Sequence, residues 1–100
     1  TAKPVSAVRV DASLSERKLN FSTEIDVRGE RLNDAIEKVT RYVDDAIMLN
    51  VSSVRIIHGK GTGVLRDELQ KLLRTMPGVA TAKDEHIQFG GSGVTIVTFD

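Results

Sequence analysis

Two stretches of helical periodicity, each entered from a short β-favouring run that ends at glycine, constrain this chain more than any other feature. In the first, Leu32, Ala35, Ile36, Val39, Val43, Ala46 and Ile47 recur at three- and four-residue steps, while Asp34, Glu37, Lys38, Arg41, Asp44 and Asp45 fill the other side. That spacing predicts an amphipathic helix over Leu32–Leu49. In the second, Leu65, Leu69, Leu72, Leu73 and Met76 repeat in the same way before the breaker pair Pro77-Gly78, which predicts a helix over Val64–Thr75. The β-favouring runs are "TEIDVRG", read as a strand over Glu24–Arg28, and "SVRIIH", whose Val54, Ile56 and Ile57 put apolar groups on both faces of the pleat and leave Arg55 as the exception. A weaker strand lies within Val79–Phe89. Gly90, Gly91 and Gly93 make a turn, and "VTIVTF" is the last strand.

The element order is therefore β-α-β-α-β-β. Right-handed crossovers between the first strands make them parallel and lay both helices on one face of the sheet, and the glycine-turn hairpin adds an antiparallel strand. The expected fold class is an α/β (α+β) two-layer sandwich with a four-stranded mixed sheet.

One hundred residues suffice for one small domain, expected over residues 23–100, preceded by a linker over residues 1–22 in which "VSAVRV" could form a short strand. The apolar residues of that segment are interleaved with Arg9 and Asp11 and form no signal-peptide core. No apolar run approaches the roughly 20 residues that cross a bilayer, so no membrane partner is expected. The absence of cysteine removes disulfides, thiolate zinc sites and cysteine nucleophiles, and fits a cytoplasmic location. Fourteen basic residues balance fourteen acidic ones, so an anionic partner must be held by a local patch.

That patch is predicted at two strand ends. In parallel α/β sheets ligands sit beyond the carboxyl ends of the strands. The first strand ends in Asp26-Val27-Arg28-Gly29, the second in His58-Gly59-Lys60-Gly61-Thr62-Gly63, and neighbouring strands would gather Arg28, His58 and Lys60. Alternation sends Asp26 and Arg28 to the same side of their strand. Glycines permit left-handed torsions and let backbone N–H groups turn toward an anion at a helix N-terminus. Arg66, a cation in the first turn of the second helix, opposes the helix dipole, and a bound anion would offset that cost. The spacing matches neither the phosphate loop of nucleotide hydrolases nor the dinucleotide fingerprint, and no residues fall at metal-ligand spacing. Each feature also has a plainer reading: a tight turn for the glycines, a ring nitrogen on backbone for His58, a surface pair for Asp26 and Arg28, a solvated loop for Asp84-Glu85-His86, and packing for Tyr42 and Phe89.

Three motifs in order, "IDVRG", "RIIHGKGTGVLR" and "GGSGVTIV", resemble the Smr (small MutS-related) domain over about Phe21–Asp100. The closest resemblance is to the form at the C-terminus of bacterial MutS-like proteins that act outside mismatch repair, whose first motif reads Leu-Asp-Leu-Arg where this chain has Ile25-Asp26-Val27-Arg28. The resemblance implies a fold similar to the C-terminal domain of the third bacterial translation initiation factor. It also implies a DNA-binding endonuclease that nicks with little sequence preference, within a MutS-like ATPase that suppresses recombination. The partners implied are DNA, including branched DNA, and the N-terminal ATPase domains of the same chain. Other members act on rRNA, mRNA or stalled ribosomes, so a non-catalytic nucleic-acid-binding module is the alternative; a protein-interaction domain is a third class.

The family's functional positions fall on Asp26, Arg28, His58, Gly59 and Gly61. On this reading Arg28 and Lys60 hold phosphates, with Gly59, Gly61, Thr62 and Gly63 supplying the loop and Arg31 and Arg66 extending the track. His58 is the expected general acid or base, since histidine titrates nearest neutrality. Asp26 would orient it or help hold a divalent ion, Mg or Mn; no organic cofactor is expected. Affinity should be weak and strongly salt-dependent, and raised by tethering.

Overall fold

A computed structural model describes residues 20–100. The run "VSAVRV" and most of the expected linker lie outside the described residues. Strand β1 (Glu24–Asp26) leads into helix α1 (Leu32–Met48), then β2 (Ser53–Ile57), α2 (Val64–Thr75), β3 (Val79–Asp84), two short 3-10 turns (Ile87–Phe89 and Gly91–Gly93) and β4 (Val94–Phe99). The sheet order is β1-β2-β4-β3. β1 and β2 are parallel, and β4 runs antiparallel to both β2 and β3. The predicted two-layer β-α-β-α-β-β architecture with its mixed sheet is the one observed.

The differences lie at element ends. β1 stops at Asp26, not Arg28, because after Val27 donates to the Ile57 carbonyl at 2.8 Å the chain turns, Glu30 N–H bonding back to the Val27 carbonyl at 3.2 Å. β2 likewise stops one residue before His58. The glycine turn between β3 and β4 is longer than a hairpin turn, since it holds both 3-10 segments.

Register decides which side chains reach the core. Val54 and Ile56 of β2 face Val97 and Thr95 of β4, which in turn face Ala82 and Asp84 of β3. This face meets Ala35, Val39, Val43 and Ala46 of α1 and Leu69 and Leu73 of α2 in a single buried cluster, so both helices cover one side of the sheet. Arg55 and Ile57 alternate to the opposite, open side with their β1 partners Glu24 and Asp26. Phe21 stacks on Tyr42 of α1 at 5.0 Å between ring centroids, and the Tyr42 hydroxyl donates to the Ser22 carbonyl at 2.6 Å. Burial, aided by the charge of Glu24, pushes this phenol up to about 12. Tyr42 is a packing residue, as its place in the helical period suggests.

Three strand ends share one edge of the sheet. β1, β2 and β3 all run toward it and β4 starts there, so the turns into both helices and the long β3–β4 turn converge at this edge.

Candidate functional site

Residues Gly59–Gly63 connect β2 to α2 as a loop of alternating handedness. Gly59, Gly61 and Gly63 have φ of 78°, 39° and 86°, whereas Lys60 and Thr62 between them do not have positive φ. Only glycine takes the first conformation without strain, and the alternation is the backbone geometry that turns successive N–H groups toward one point. The loop is tied from one side: the Gly93 carbonyl accepts from His58 N–H at 3.2 Å and from Gly59 N–H at 2.9 Å. Gly63 N–H donates to the Lys60 carbonyl at 3.0 Å, but Lys60, Gly61 and Thr62 N–H find no acceptor among the described residues. Gly29, His58 and the loop line a concavity of about 200 Å³ that reaches Val64 and Leu65 at the start of α2. Gly63, the residue before the helix, has no side chain to cap it, so the first helix donors are without a side-chain acceptor at that position.

Arg28 leans over this loop. A Cβ built on Gly59 would lie 3.5 Å from Arg28 Cγ. Its guanidinium grips Asp26, Nε donating at 3.0 and 3.1 Å to the two carboxylate oxygens and Nη2 at 2.6 Å to Oδ2. Asp26 Oδ1 also accepts from Arg28 N–H at 3.0 Å. These bonds hold the Asp26 carboxyl below its usual 3.8 and raise the guanidinium. The arginine remains 64% exposed, so its outer edge is open to an anion. The expected contact between Asp26 and His58 is not made. Asp26 lies on the open face of the sheet, and His58, in phase with Val54 and Ile56, points to the helix side.

His58 is 4% exposed, and both ring nitrogens are engaged. Nδ1 is 2.8 Å from the Gly59 carbonyl and Nε2 is 2.7 Å from Thr95 Oγ1. Gln70 of α2 donates to Thr95 Oγ1 at 3.0 Å and to Asp84 Oδ1 at 2.9 Å, and its own oxygen accepts from Arg74 at 3.1 Å. A polar chain thus runs beneath the loop through three strands and a helix. Sequence reasoning missed Thr95, Gln70 and the role of Gly93. Gln70 carried a signal, a polar residue beside Leu69 on a stripe that continues to Leu73.

Asp84 is not the solvated loop residue expected. It ends β3 and takes Arg66 in a fork, Nε to Oδ1 at 2.7 Å and Nη2 to Oδ2 at 2.9 Å. The Arg66 and Gln70 bonds hold the Asp84 carboxyl below 3.8. The anion that offsets Arg66 at the start of α2 is therefore protein: Asp84, joined by Asp67 at 2.7 Å. Lys60 and Arg31, by contrast, have no acidic partner among the described residues. Arg31 sits at the start of α1, beside the turn that contributes Gly29. Among the described residues no three His, Cys, Asp or Glu side chains converge, so Asp26 is not part of a preformed cage for a divalent ion.

Comparison with known proteins places this geometry in a family. Residues 25–100 match the Smr domain. The chain is 51% identical over 78 residues to Endonuclease MutS2 of Acetivibrio thermocellus, covering 78% of this chain and 10% of that protein. It is 45% identical over 86 residues to Endonuclease MutS2 of Bacillus mycoides, covering 86% of this chain and 11% of that protein. The chain thus spans about a tenth of the length of these relatives. The crystal structure of the Smr domain of Thermus thermophilus MutS2 superposes with a TM-score of 0.75 at 36% identity, covering 78% of this chain and 98% of that one. The stand-alone small MutS-related protein YdaL of Escherichia coli shares the fold, with a TM-score of 0.72 at 20% identity over 77% of this chain and 63% of that one. With its first motif at β1, its glycine loop after β2 and the same fold at 36% identity, the chain belongs to the Smr domain family.

Proposed function

We propose that this domain binds nucleic acid through its phosphates and nicks DNA with little sequence preference, as the C-terminal unit of a longer MutS-like ATPase. The observation that carries the reading is the loop Gly59–Gly63, whose free N–H groups and unpaired Lys60 line one small concavity, with the Arg28 side chain packed beside Gly59. All of these recognise phosphate and none reads a base edge, which supports sequence-tolerant binding. The names of the MutS2 relatives support nuclease chemistry.

In this proposal the loop amides and Lys60 hold the scissile phosphate, and Arg28 neutralises charge that builds on its oxygens as water adds to phosphorus and a P–O ester bond breaks. Asp26 fixes the plane of the Arg28 guanidinium. His58 acts as a positioning residue, holding the Gly59 carbonyl from below so that the amides of the loop face outward. A divalent ion, where one takes part, would be held by Asp26 and would supply further charge neutralisation.

A second reading, a phosphate-binding module without catalysis, acting on RNA or on stalled ribosomes, is favoured by one observation: the histidine of the loop is buried with both nitrogens occupied. The two readings separate on supercoiled plasmid incubated with Mg²⁺, Mn²⁺ or chelator, beside Asp26→Ala, His58→Ala and Lys60→Ala proteins. Nicking by the unmutated chain that is lost in Lys60→Ala and Asp26→Ala supports the nuclease and shows its metal requirement. Plasmid binding without nicking in any condition establishes the module.

A further inference from the structure

The long β3–β4 turn presents apolar side chains to solvent at the same edge as the phosphate loop. Ile87 is 85% exposed and Phe89 is 65% exposed, and the His86 ring lies 5.8 Å from the Phe89 ring at a tilt of 53°. Phe89, expected from sequence to pack, is instead largely exposed, with its ring against that of His86.

The turn is nonetheless held firmly. Arg55, the odd cation of β2, reaches across the open face of the sheet: Nη2 donates to the Phe89 carbonyl at 3.0 Å, Nε to Glu85 at 3.2 Å and Nη1 to Glu24 at 2.8 Å. Phe89 N–H and Gly91 N–H both donate to the His86 carbonyl, and Gln88 N–H donates to His86 Nδ1 at 3.2 Å. At its far end the turn is stitched to the phosphate loop itself, since Gly93 accepts from His58 and Gly59 and a Cβ on Gly93 would lie 3.4 Å from Lys60 Cγ. Three residues separate Phe89 from Gly93, and four backbone steps keep the aromatic tip within about 14 Å of the residue stitched to the phosphate loop. Holding an apolar tip in water on a braced turn beside a phosphate site fits a ligand that carries a phosphate and a flat apolar face together.

We infer that Ile87 and Phe89 form a stacking platform for an unpaired nucleobase whose flanking phosphate sits in the Gly59–Gly63 loop, so that the domain prefers nucleic acid with unstacked bases over uninterrupted duplex. Aromatic faces hold bases without regard to sequence, and Ile87, the second exposed apolar side chain of the same turn, is of the type that serves as an apolar wedge at a base step. This inference rests on the phosphate-binding reading and adds a preference for structure to it. Arg55 is the positioning residue: it touches no base and aims the platform.

The test is anisotropy titration, in chelator, of three labelled oligonucleotides: a single strand, a duplex with a short unpaired gap, and a blunt duplex. The proteins are the unmutated chain, Phe89→Ala, Phe89→Leu, Phe89→Tyr and Lys60→Ala. The expected result is that Phe89→Ala and Phe89→Leu lose about tenfold on the single strand and gapped duplex and almost nothing on the blunt duplex. Phe89→Tyr, which keeps the π face, retains binding. Because Phe89 is exposed, none of these variants is expected to lower stability, and an unfolding curve for each verifies that. Equal losses on all three ligands, or none on any, would overturn the platform while leaving the phosphate site standing, and unchanged binding in every Phe89 variant would mark the tip as a protein contact. If Lys60→Ala also changes nothing, the phosphate-binding reading falls, and the platform with it.

Discussion

His58 Nε2 and Thr95 Oγ1 lie 2.7 Å apart beneath the glycine loop, in residues that are 4% and 0% exposed. Donor counting fixes the direction of every bond around them. Gly59 offers a carbonyl, so His58 Nδ1 carries the proton; Thr95 Oγ1 accepts from Gln70 and passes its own hydrogen to Nε2. Arg74 can only donate and Asp84 only accept, which sets the Gln70 amide the same way round. Thr95→Val keeps the shape and removes the link, leaving His58 Nε2 and one Gln70 hydrogen buried without partners. The expected cost is about 1–3 kcal/mol in urea unfolding, with phosphate binding weakened as the loop loosens. A cost near zero would mean that His58 is not held from below.

Gly61→Ala separates backbone strain from steric contact. Nothing lies within 4 Å of the added methyl group, but its φ of 39° falls where side-chain-bearing residues are strained. The substitution should cost roughly 1–2 kcal/mol, a fall of several degrees in Tm. The protein should remain folded, and DNA affinity should fall further than stability does, because the relaxed loop turns its amides away. Unchanged affinity in calorimetric titration would remove the loop amides from the site.

How much of this was legible follows from which interactions are local. The two helices and the β runs are written in periodicities of three to four and of two, and Asp26 and Arg28 are two residues apart, close enough to pair across the turn that ends β1. The glycine alternation is visible as letters because each glycine answers a torsion of its own residue. The polar chain under the loop is not visible, because it depends on β4 entering the sheet between β2 and β3, which brings Thr95 beside His58 from 37 residues away. The same insertion takes Arg66 out of the free cations by giving it Asp84. Phe89 was misread because apolar character predicts burial only where neighbouring chain is available to cover it, and the β3–β4 turn is drawn by Arg55 toward the open side of the sheet, where no helix lies.

Asp84 and its fork with Arg66 make an acid-side prediction. The carboxyl is held below its usual 3.8 by Arg66 first and Gln70 second. A group depressed in the folded state stabilises it fully above the unfolded value and loses that contribution as pH falls through the folded value. Stability should therefore fall as pH drops below about 3.8, with Asp26 adding to the same limb. Asp84→Asn should be less stable than the unmutated chain at neutral pH and converge with it in acid. Parallel curves of Tm against pH would show that the pair contributes nothing that titrates.

Asp26 and Arg28 make opposite predictions for binding and for cleavage. Lys60 lines the concavity and Arg28 packs beside Gly59 of the same loop, so if each meets one phosphate, replacing both with alanine should reduce the slope of log affinity against log salt by about 1.8 on duplex DNA, or 0.9 per phosphate contact. Asp26 spends part of the Arg28 charge, its two oxygens closing the inner edge of the guanidinium. Asp26→Asn should therefore tighten DNA binding severalfold at low salt while leaving the arginine in place. If Asp26 serves only to aim Arg28, nicking should survive in proportion to binding. A variant that binds DNA more tightly yet nicks at a small fraction of the original rate would give this carboxylate a direct part in the reaction, on a metal ion or on the attacking water. A fall in both would return Asp26 to the fold, as the residue that keeps Arg28 over Gly59.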